Sequence, residues 1–268
     1  MREEGQIQLI GTSPAMRELQ EEIARVASSD AKVLITGESG TGKEVVARAI
    51  AMSPAGARAE TFVPVNCAGI AETLLESELF GHMKGSFTGA YRDKPGKLEM
   101  AANGTLFLDE IGEMTLRMQG LLLRFLETGE IQKVGAERVS NVANVRIIAA
   151  TNRDLWSLIA QSQFREDLFY RINVLHLSIP PLRERREDIP PLIDHFMTRF
   201  SRQNSNGGNG GNGGSHGSPV RTIAPDAMAA LCRYSWPGNV RQLQNVVEKC
   251  VVLCSSSAPG AKAVNDLA

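Results

Sequence analysis

Apolar residues follow two rhythms along this chain. Short, near-continuous apolar runs occur at Lys32–Thr36 (KVLIT), Phe62–Asn66 (FVPVN), Thr105–Asp109 (TLFLD), Val145–Ala150 (VRIIAA) and Val174–Ile179 (VLHLSI). A strand covered on both faces has no polar side to show, so such runs predict parallel strands inside a layered fold. Between them, helical periodicity predicts helices over Met16–Ser28, Lys43–Met52, Glu72–Phe80 and Leu116–Glu127. Strand and helix alternation predicts an α/β fold with a mostly parallel sheet over residues 1–180. After Pro180–Pro181 the strand pattern stops. Helices are expected over Asp188–Arg202, over Pro225–Tyr234 with its first-turn proline, and over Asn239–Cys254. They predict a small helical domain over 181–254. The stretch NSNGGNGGNGGSHGS (204–218) interrupts it and reads by composition as a flexible linker. Residues 255–268 read as a disordered tail.

Composition narrows the function. A chain of 268 residues with 43% hydrophobic residues can build the core of one or two domains. A net charge of -1 argues against nucleic-acid binding by bulk charge and leaves a local basic patch open. No run of 18 apolar residues is present, so no transmembrane helix is expected, and the polar start MREEGQIQ does not read as a signal peptide. Cys250 and Cys254 are spaced i, i+4 without a nearby histidine, a poor metal site. Together with Cys67 and Cys232 they are expected to be reduced thiols of a cytoplasmic protein.

Two motifs carry chemistry. GESGTGKE, from Gly37 through Glu38, Ser39, Gly40, Thr41, Gly42 and Lys43 to Glu44, follows a strand and opens a helix. Glycines there let backbone N–H groups turn inward around phosphates, the helix start adds positive potential, and Lys43 supplies a point charge. The general pattern asks for Ser or Thr after the lysine, and Glu44 stands there instead. A glycine-rich turn alone would look similar. The second motif, TLFLDE, is an apolar strand ending in two acids. Asp109 can hold Mg²⁺, directly or through water, and Glu110 can take a proton from an attacking water. Unpaired buried carboxylates are costly, so the two motifs together point to a Mg²⁺-dependent nucleotide hydrolase.

The segments GESGTGKE, ELFGHMKGSFTGA, GTLFLDEIGEM, FREDLFYRINV, PLRERREDIPPL and WPGNVRQLQN occur in this order. Over about Leu9 to Leu253 the chain closely resembles the central AAA+ domain of sigma-54-dependent transcription activators, the bacterial enhancer-binding proteins. The resemblance implies a P-loop α/β sandwich followed by a helical lid. It implies an ATPase assembled as a ring, a hexamer or heptamer, that remodels RNA polymerase holoenzyme carrying sigma-54 so that the promoter opens. In that family Glu is usual at the position of Glu44. Gly85, Ser86, Phe87, Thr88, Gly89 and Ala90 match the family's GAFTGA loop, here an insertion over 81–97, which touches sigma-54 and promoter DNA. His82, Lys84, Arg92, Lys94 and Lys97 flank it. Two residues depart from the usual pattern: Ser86 replaces Ala and Met83 replaces Glu.

The same resemblance assigns further roles. Asn66 would be a switch that binds Glu110. Thr151 and Asn152 would be the sensor I pair. Arg165 and Arg171, beside Glu166 and Asp167, read from the residues alone as surface ion pairs, and by resemblance as arginine fingers reaching a neighbouring subunit. Arg241 would be sensor II, and Ile10–Gly11 would line the adenine pocket. LRERRED (182–188) mixes charge signs and reads as a solvated face. Two other functions compete: a nucleotide-switched binding module that no longer remodels sigma-54, and a different AAA+ machine such as an unfoldase or helicase loader. The Phe87-Thr88-Gly89 loop and the Asp109-Glu110 pair argue against both. Receiver and helix-turn-helix domains, often present in the family, are not expected within these residues, so enhancer binding is not assigned to them.

Overall fold

The computed structural model describes residues 9–53, 61–139, 141–206 and 223–255. In chain order the elements begin with α1 (Pro14–Ala27), β1 (Val33–Thr36), α2 (Lys43–Ala51), β2 (Phe62–Asn66) and α3 (Glu72–Phe80). A short hairpin follows, β3 (Gly81–His82) and β4 (Lys94–Pro95), then α4 (Lys97–Met100), β5 (Thr105–Asp109) and α5 (Leu116–Thr128). Next come β6 (Glu130–Ile131), β7 (Asn141–Val142), β8 (Arg146–Thr151), α6 (Leu155–Ala160), α7 (Glu166–Ile172) and β9 (Leu175–Ser178). Three helices end the series: α8 (Ile189–Asn206), α9 (Pro225–Arg233) and α10 (Asn239–Ser255).

The chain divides into two compact units. One holds Leu19–Gly37 and Lys43–Ile179; the other holds Ile10–Glu18, Glu38–Gly42 and the residues from Pro180 on. A division near residue 180 was expected. The two N-terminal segments that belong with the second unit were not.

The first unit is built on five strands in the order β2-β5-β8-β1-β9, every pairing parallel. The apolar runs are strands because both faces are covered: Leu34, Ile35, Leu106, Phe107, Leu108 and Ile148 are all but sealed from solvent. Register matters more than strand count. Asn66 pairs with Asp109, and Thr36 pairs with Thr151, so β2 and β5 end together, β1 and β8 end together, and the two pairs end within one residue of each other.

Between α3 and α4 the chain leaves the sheet through the β3–β4 hairpin. The bases of this excursion are tied to the segment after β6: Met83 N–H donates to the Val134 carbonyl and Val134 N–H to the Gly81 carbonyl, both at 3.0 Å. Ser86 sits against Gly135, where an added Cβ would lie 2.6 Å from the Ser86 Cβ, so only glycine fits there. The Ser86 Oγ is out of solvent and has no hydrogen-bond partner among the described residues.

In the second unit, Leu182, Ile189, Ile193, Trp236, Leu243 and Val247 form the centre of the core. The charged turn 182–188 is the solvated face its sequence suggests only in part: Arg183, Glu184, Arg186 and Glu187 are exposed. Arg185 and Asp188 are 3% and 0% exposed. Asp188 accepts hydrogen bonds from Thr12 N–H at 2.6 Å, Ser13 N–H at 2.8 Å and the Ser13 hydroxyl at 2.8 Å. These satisfied contacts let a carboxylate stay buried. Two further expectations change. Residues 204–206, assigned to the linker, continue α8, and Ser255, assigned to the tail, closes α10. Adding a residue to an existing helix is far easier than starting one, so composition misplaces such ends. The rest of the linker, 207–218, and the tail, 256–268, lie outside the described residues.

A buried hydroxyl without a partner carries a desolvation cost, so Ser86→Ala is expected to stabilise the protein by about 1 kcal/mol. Urea unfolding of both proteins checks this, and a loss of stability would show that the hydroxyl has a partner after all.

Candidate functional site

The strand ends of the first unit collect the expected acids and the lysine. Lys43, first residue of α2, is 7% exposed. Its Nζ donates to the Gly37 carbonyl at 3.0 Å and lies 3.3 Å from Glu110 Oε1. The other Glu110 oxygen accepts the Asn152 N–H at 3.1 Å. Glu110 itself has φ 53° and ψ 49°, a left-handed conformation disfavoured for a residue with a Cβ. Such conformations persist where the surroundings over-determine them, often at working sites. Nothing in the letters TLFLDE signals this strain.

Asp109 precedes it at the end of β5. Burial is the main cause that raises its carboxyl above the usual range; the neighbouring Glu110 adds to this, and Lys43 opposes it. A group poised in this way is well suited to a cation that would restore the charged form. Among the described residues no three His, Cys, Asp or Glu side chains cluster to hold a metal by themselves. The fit is therefore that of Mg²⁺ carried by phosphates and water with one carboxylate, the usual arrangement for this ion. Cys67, one residue past Asn66, is buried beside both acids, and its thiol is pushed up, first by burial and then by their charges. It is a packing residue and not a nucleophile.

The residues that the resemblance reads as switch and sensor, Asn66, Thr151 and Asn152, lie at the same strand ends, with local partners. Asn66 Oδ1 accepts the Ala68 N–H at 2.8 Å, whereas the resemblance implied a bond to Glu110. With both Glu110 oxygens engaged by Lys43 and Asn152, the Asn66 amide satisfies its own turn. Thr151 is buried, its hydroxyl accepts the Arg153 N–H, and its carbonyl accepts the Gly37 N–H. Glu44 pairs with Arg48 one turn along α2, at 2.8 Å.

Arg165, just before α7, and Arg171, within it, have partners apart from this cluster. Arg165 grips Asp167 through two nitrogens, at 3.0 and 2.6 Å, and is an exposed pair as its sequence neighbours suggested. Arg171 donates to the Leu126 carbonyl at 3.1 Å.

In the loop between β3 and β4, Gly85 N–H donates to the Ala90 carbonyl at 2.8 Å and closes the loop on itself. Phe87 is 37% exposed and rests edge-on against His82, with ring centres 4.9 Å apart. His82 is buried and shares a 2.7 Å hydrogen bond with Ser77. The aromatic ring therefore neither enters the core nor hangs free. Thr88 and Gly89 are exposed at the tip.

Within the second unit, the tip of the glycine-rich loop, Glu38–Gly42, lies among side chains from the 182–188 turn and the start of α10. Arg183 binds Glu38 with both guanidinium nitrogens, at 2.7 and 2.9 Å, and Asn239 Nδ2 adds a third bond at 3.1 Å. Arg183 is the main cause that holds the Glu38 carboxyl down, to about 2, and Asn239 assists. Arg241, expected as sensor II, donates to the Ser39 hydroxyl at 3.1 Å. Gly40 has φ +80° and its Cα faces the Gly238 carbonyl, which an added Cβ would approach to 2.4 Å. Gly11 abuts Met16 and Asp188, and Ile10 packs on the core of this unit. Arg183, Arg185 and Asn239 are residues that sequence reasoning missed. The available signal was Arg spacing in LRER, and it looked like ordinary surface charge.

Comparison with known proteins agrees with this fold. A model of the sigma-54 interaction domain matches residues 9–178, and a model of the AAA+ ATPase lid domain matches residues 183–266. The regulatory protein AtoC of Escherichia coli K12 is 49% identical over 247 residues, which cover 92% of this chain and 50% of AtoC. The transcriptional regulatory protein ZraR of Klebsiella oxytoca is 50% identical over 248 residues, 92% of this chain and 53% of ZraR. The chain thus spans about half the length of these relatives. Among solved structures, NtrX from Brucella abortus in complex with ATP superposes with a TM-score of 0.83 at 40% identity, covering 99% of this chain and 57% of NtrX. With the sigma-54 interaction domain matched over most of its length and the lid following, the chain belongs to the AAA+ family of sigma-54-dependent transcription activators.

Proposed function

We propose that this chain is the ATP-hydrolysing core of a transcription activator, working in the cytoplasm as a ring that remodels sigma-54 RNA polymerase at promoters. The observation that carries the reading is the group Lys43–Glu110–Asp109 at the mouth of a glycine-rich loop, in a chain whose Phe87 and Thr88 stand at the surface. Among the described residues no helix is long and apolar enough to cross a membrane.

In this reading the phosphates of ATP bind the loop Gly37–Glu44, with Lys43 as the charge for the β and γ phosphates. Mg²⁺ would be held by Asp109 with phosphates and water, and would neutralise charge on the phosphates. Glu110 orients the attacking water and accepts its proton. Before reaction Glu110 is held by Lys43 and the Asn152 amide, so binding of phosphate at Lys43 frees the carboxylate for that task. Asn66, Thr151 and Asn152, next to the acids at the strand ends, respond to the γ-phosphate. Arg241 makes the lid responsive to nucleotide, and Ile10–Gly11 line the adenine.

Arg165 and Arg171 act on the ATP of a neighbouring copy. An exposed pair such as Arg165–Asp167 is screened by solvent and contributes little, so it is readily released for such a role. Ring closure, as a hexamer or heptamer, completes each site. The Gly85–Ala90 loop engages sigma-54 and approaches promoter DNA, with Lys84, Arg92, Lys94 and Lys97 offering charge to phosphates. His82, on which Phe87 rests, is the seat the loop leaves when it rises.

Three outcomes follow. Glu110→Gln is expected to bind ATP normally and to hydrolyse it about 100-fold more slowly or worse, measured by nucleotide titration and phosphate release. Normal turnover would remove Glu110 as the base. Arg171→Ala is expected to keep nucleotide affinity and lose about a thousandfold in turnover, while wild-type turnover per chain rises with protein concentration. A turnover independent of concentration would sink the trans role. In native gels with sigma-54, a complex is expected with ADP and aluminium fluoride, but not with ADP alone, and Thr88→Ala should hydrolyse ATP yet form none. A mutant complex as strong as wild type would exclude the loop as the contact.

A further inference from the structure

The tip of the phosphate loop has an ordering problem. Three of the residues in Gly37–Lys43 are glycines, and two of them, Gly40 and Gly42, take left-handed φ values of +80° and +105°. A chain of this kind has many alternatives to lose on ordering. Yet its peptide planes decide which N–H groups are available to an anion.

Three consecutive carbonyls of the tip are each held by a donor from the second unit. The Ser39 carbonyl accepts Asn239 Nδ2 at 3.1 Å. The Gly40 carbonyl accepts the Arg241 N–H at 3.3 Å. The Thr41 carbonyl accepts Arg185 Nη2 at 3.0 Å. In a planar trans peptide the C=O of one residue and the N–H of the next point in opposite directions. Anchoring these carbonyls therefore turns the N–H groups of Gly40, Thr41 and Gly42 away from the anchors. Thr41 N–H closes a turn onto the Glu38 carbonyl at 3.3 Å. Those of Gly40 and Gly42 are aimed by the anchors alone.

The anchors are themselves fixed. Arg185 is buried and also donates to the Pro180 carbonyl at 3.1 Å. Asn239 is fully buried with φ +50°, and its Oδ1 accepts the Leu182 N–H at 2.8 Å. Arg183 has a different task. Glu38 is a carboxylate in a loop built for anions, and the two-nitrogen grip of Arg183 cancels its charge.

We propose that Arg183, Arg185 and Asn239 are positioning residues for nucleotide binding: Arg185 and Asn239 preset the peptide planes of the phosphate loop, and Arg183 neutralises Glu38 within it. The inference rests on the reading that ATP phosphates bind this loop. It makes the helical unit a determinant of phosphate affinity through the loop backbone, separately from any contact of Arg241 with nucleotide.

The test uses Asn239→Gly, which keeps the left-handed backbone accessible, and Arg183→Ala, at a side chain 40% exposed. Affinity for a fluorescent ADP analogue with Mg²⁺, KM and kcat for ATP, and nucleotide-free melting temperature are measured for each. Loss of one aimed or neutralised contact is expected to weaken ADP binding and raise KM by about tenfold, with kcat at saturating ATP within about threefold of wild type. Adding Glu38→Gln to Arg183→Ala is expected to recover most of the ADP affinity, because it removes the uncancelled charge. A purely structural role predicts parallel loss of melting temperature and no recovery in the double variant; that result overturns the inference. So do variants that bind ADP as wild type does. Failure of the wild-type protein itself to bind ADP would instead sink the reading of the loop as a nucleotide site.

Discussion

The chemistry of this protein depends on one constraint, the in-register parallel pairing of β1, β2, β5 and β8. Parallel strands run the same way, so their C-terminal ends emerge at one edge. Register then decides which residues meet there. Asn66 is opposite Asp109 and Thr36 opposite Thr151, so Gly37, Asn66, Asp109, Glu110 and Asn152 begin the loops of one edge. A slip of one residue in β5 would turn Asp109 to the other face and separate Glu110 from Lys43. The apolar faces of these strands prevent that slip, since it would drive buried Leu106 and Leu108 out of their packing.

On this edge, charge is balanced locally before any ligand arrives. Lys43 is almost buried, and its ammonium is met by the Gly37 carbonyl and the Glu110 carboxylate. Asp109 bears the remaining stress, with its carboxyl raised mainly by burial. The strained backbone at Glu110 belongs to the same balance, because it brings the carboxylate back toward Lys43. Asp109 is thus a carboxylate whose charged form a nearby cation would favour.

The helical unit solves a different problem with the same economy. It buries Arg185 and Asp188, which is costly unless every polar atom finds a partner, and it finds them in the backbone of Thr12, Ser13, Pro180 and Thr41. Buried charge is spent here on holding two chain segments, the entry at residues 10–13 and the tip of the phosphate loop. The Gly85–Ala90 loop is held far more lightly, by a few backbone bonds and the contact of Phe87 with His82.

Much of this was legible in the residues. Continuous apolar runs marked all five strands of the main sheet to within a residue at each end, because a doubly covered strand leaves that trace whatever surrounds it. GESGTGKE, TLFLDE and the ELFGHMKGSFTGA segment named the family, because they carry particular residues at particular spacing. Short elements such as β3, β4 and α4 escaped, being set by contacts with the Val134 segment and not by local pattern. Two of the charges of LRERRED, Arg185 and Asp188, were misread for a related reason. Sequence reports that Arg183, Arg185 and Asp188 are charged; only the tertiary structure decides that Arg185 and Asp188 are buried, because burial depends on partners more than 140 positions away in the chain. The same holds for the left-handed backbone of Glu110 and Asn239, and for Asn66 turning to Ala68. By itself the sequence determined the fold and the kind of chemistry, through periodicity and motif. Which side chains hold the phosphate loop was decided by long-range hydrogen bonds, which leave no local pattern to read.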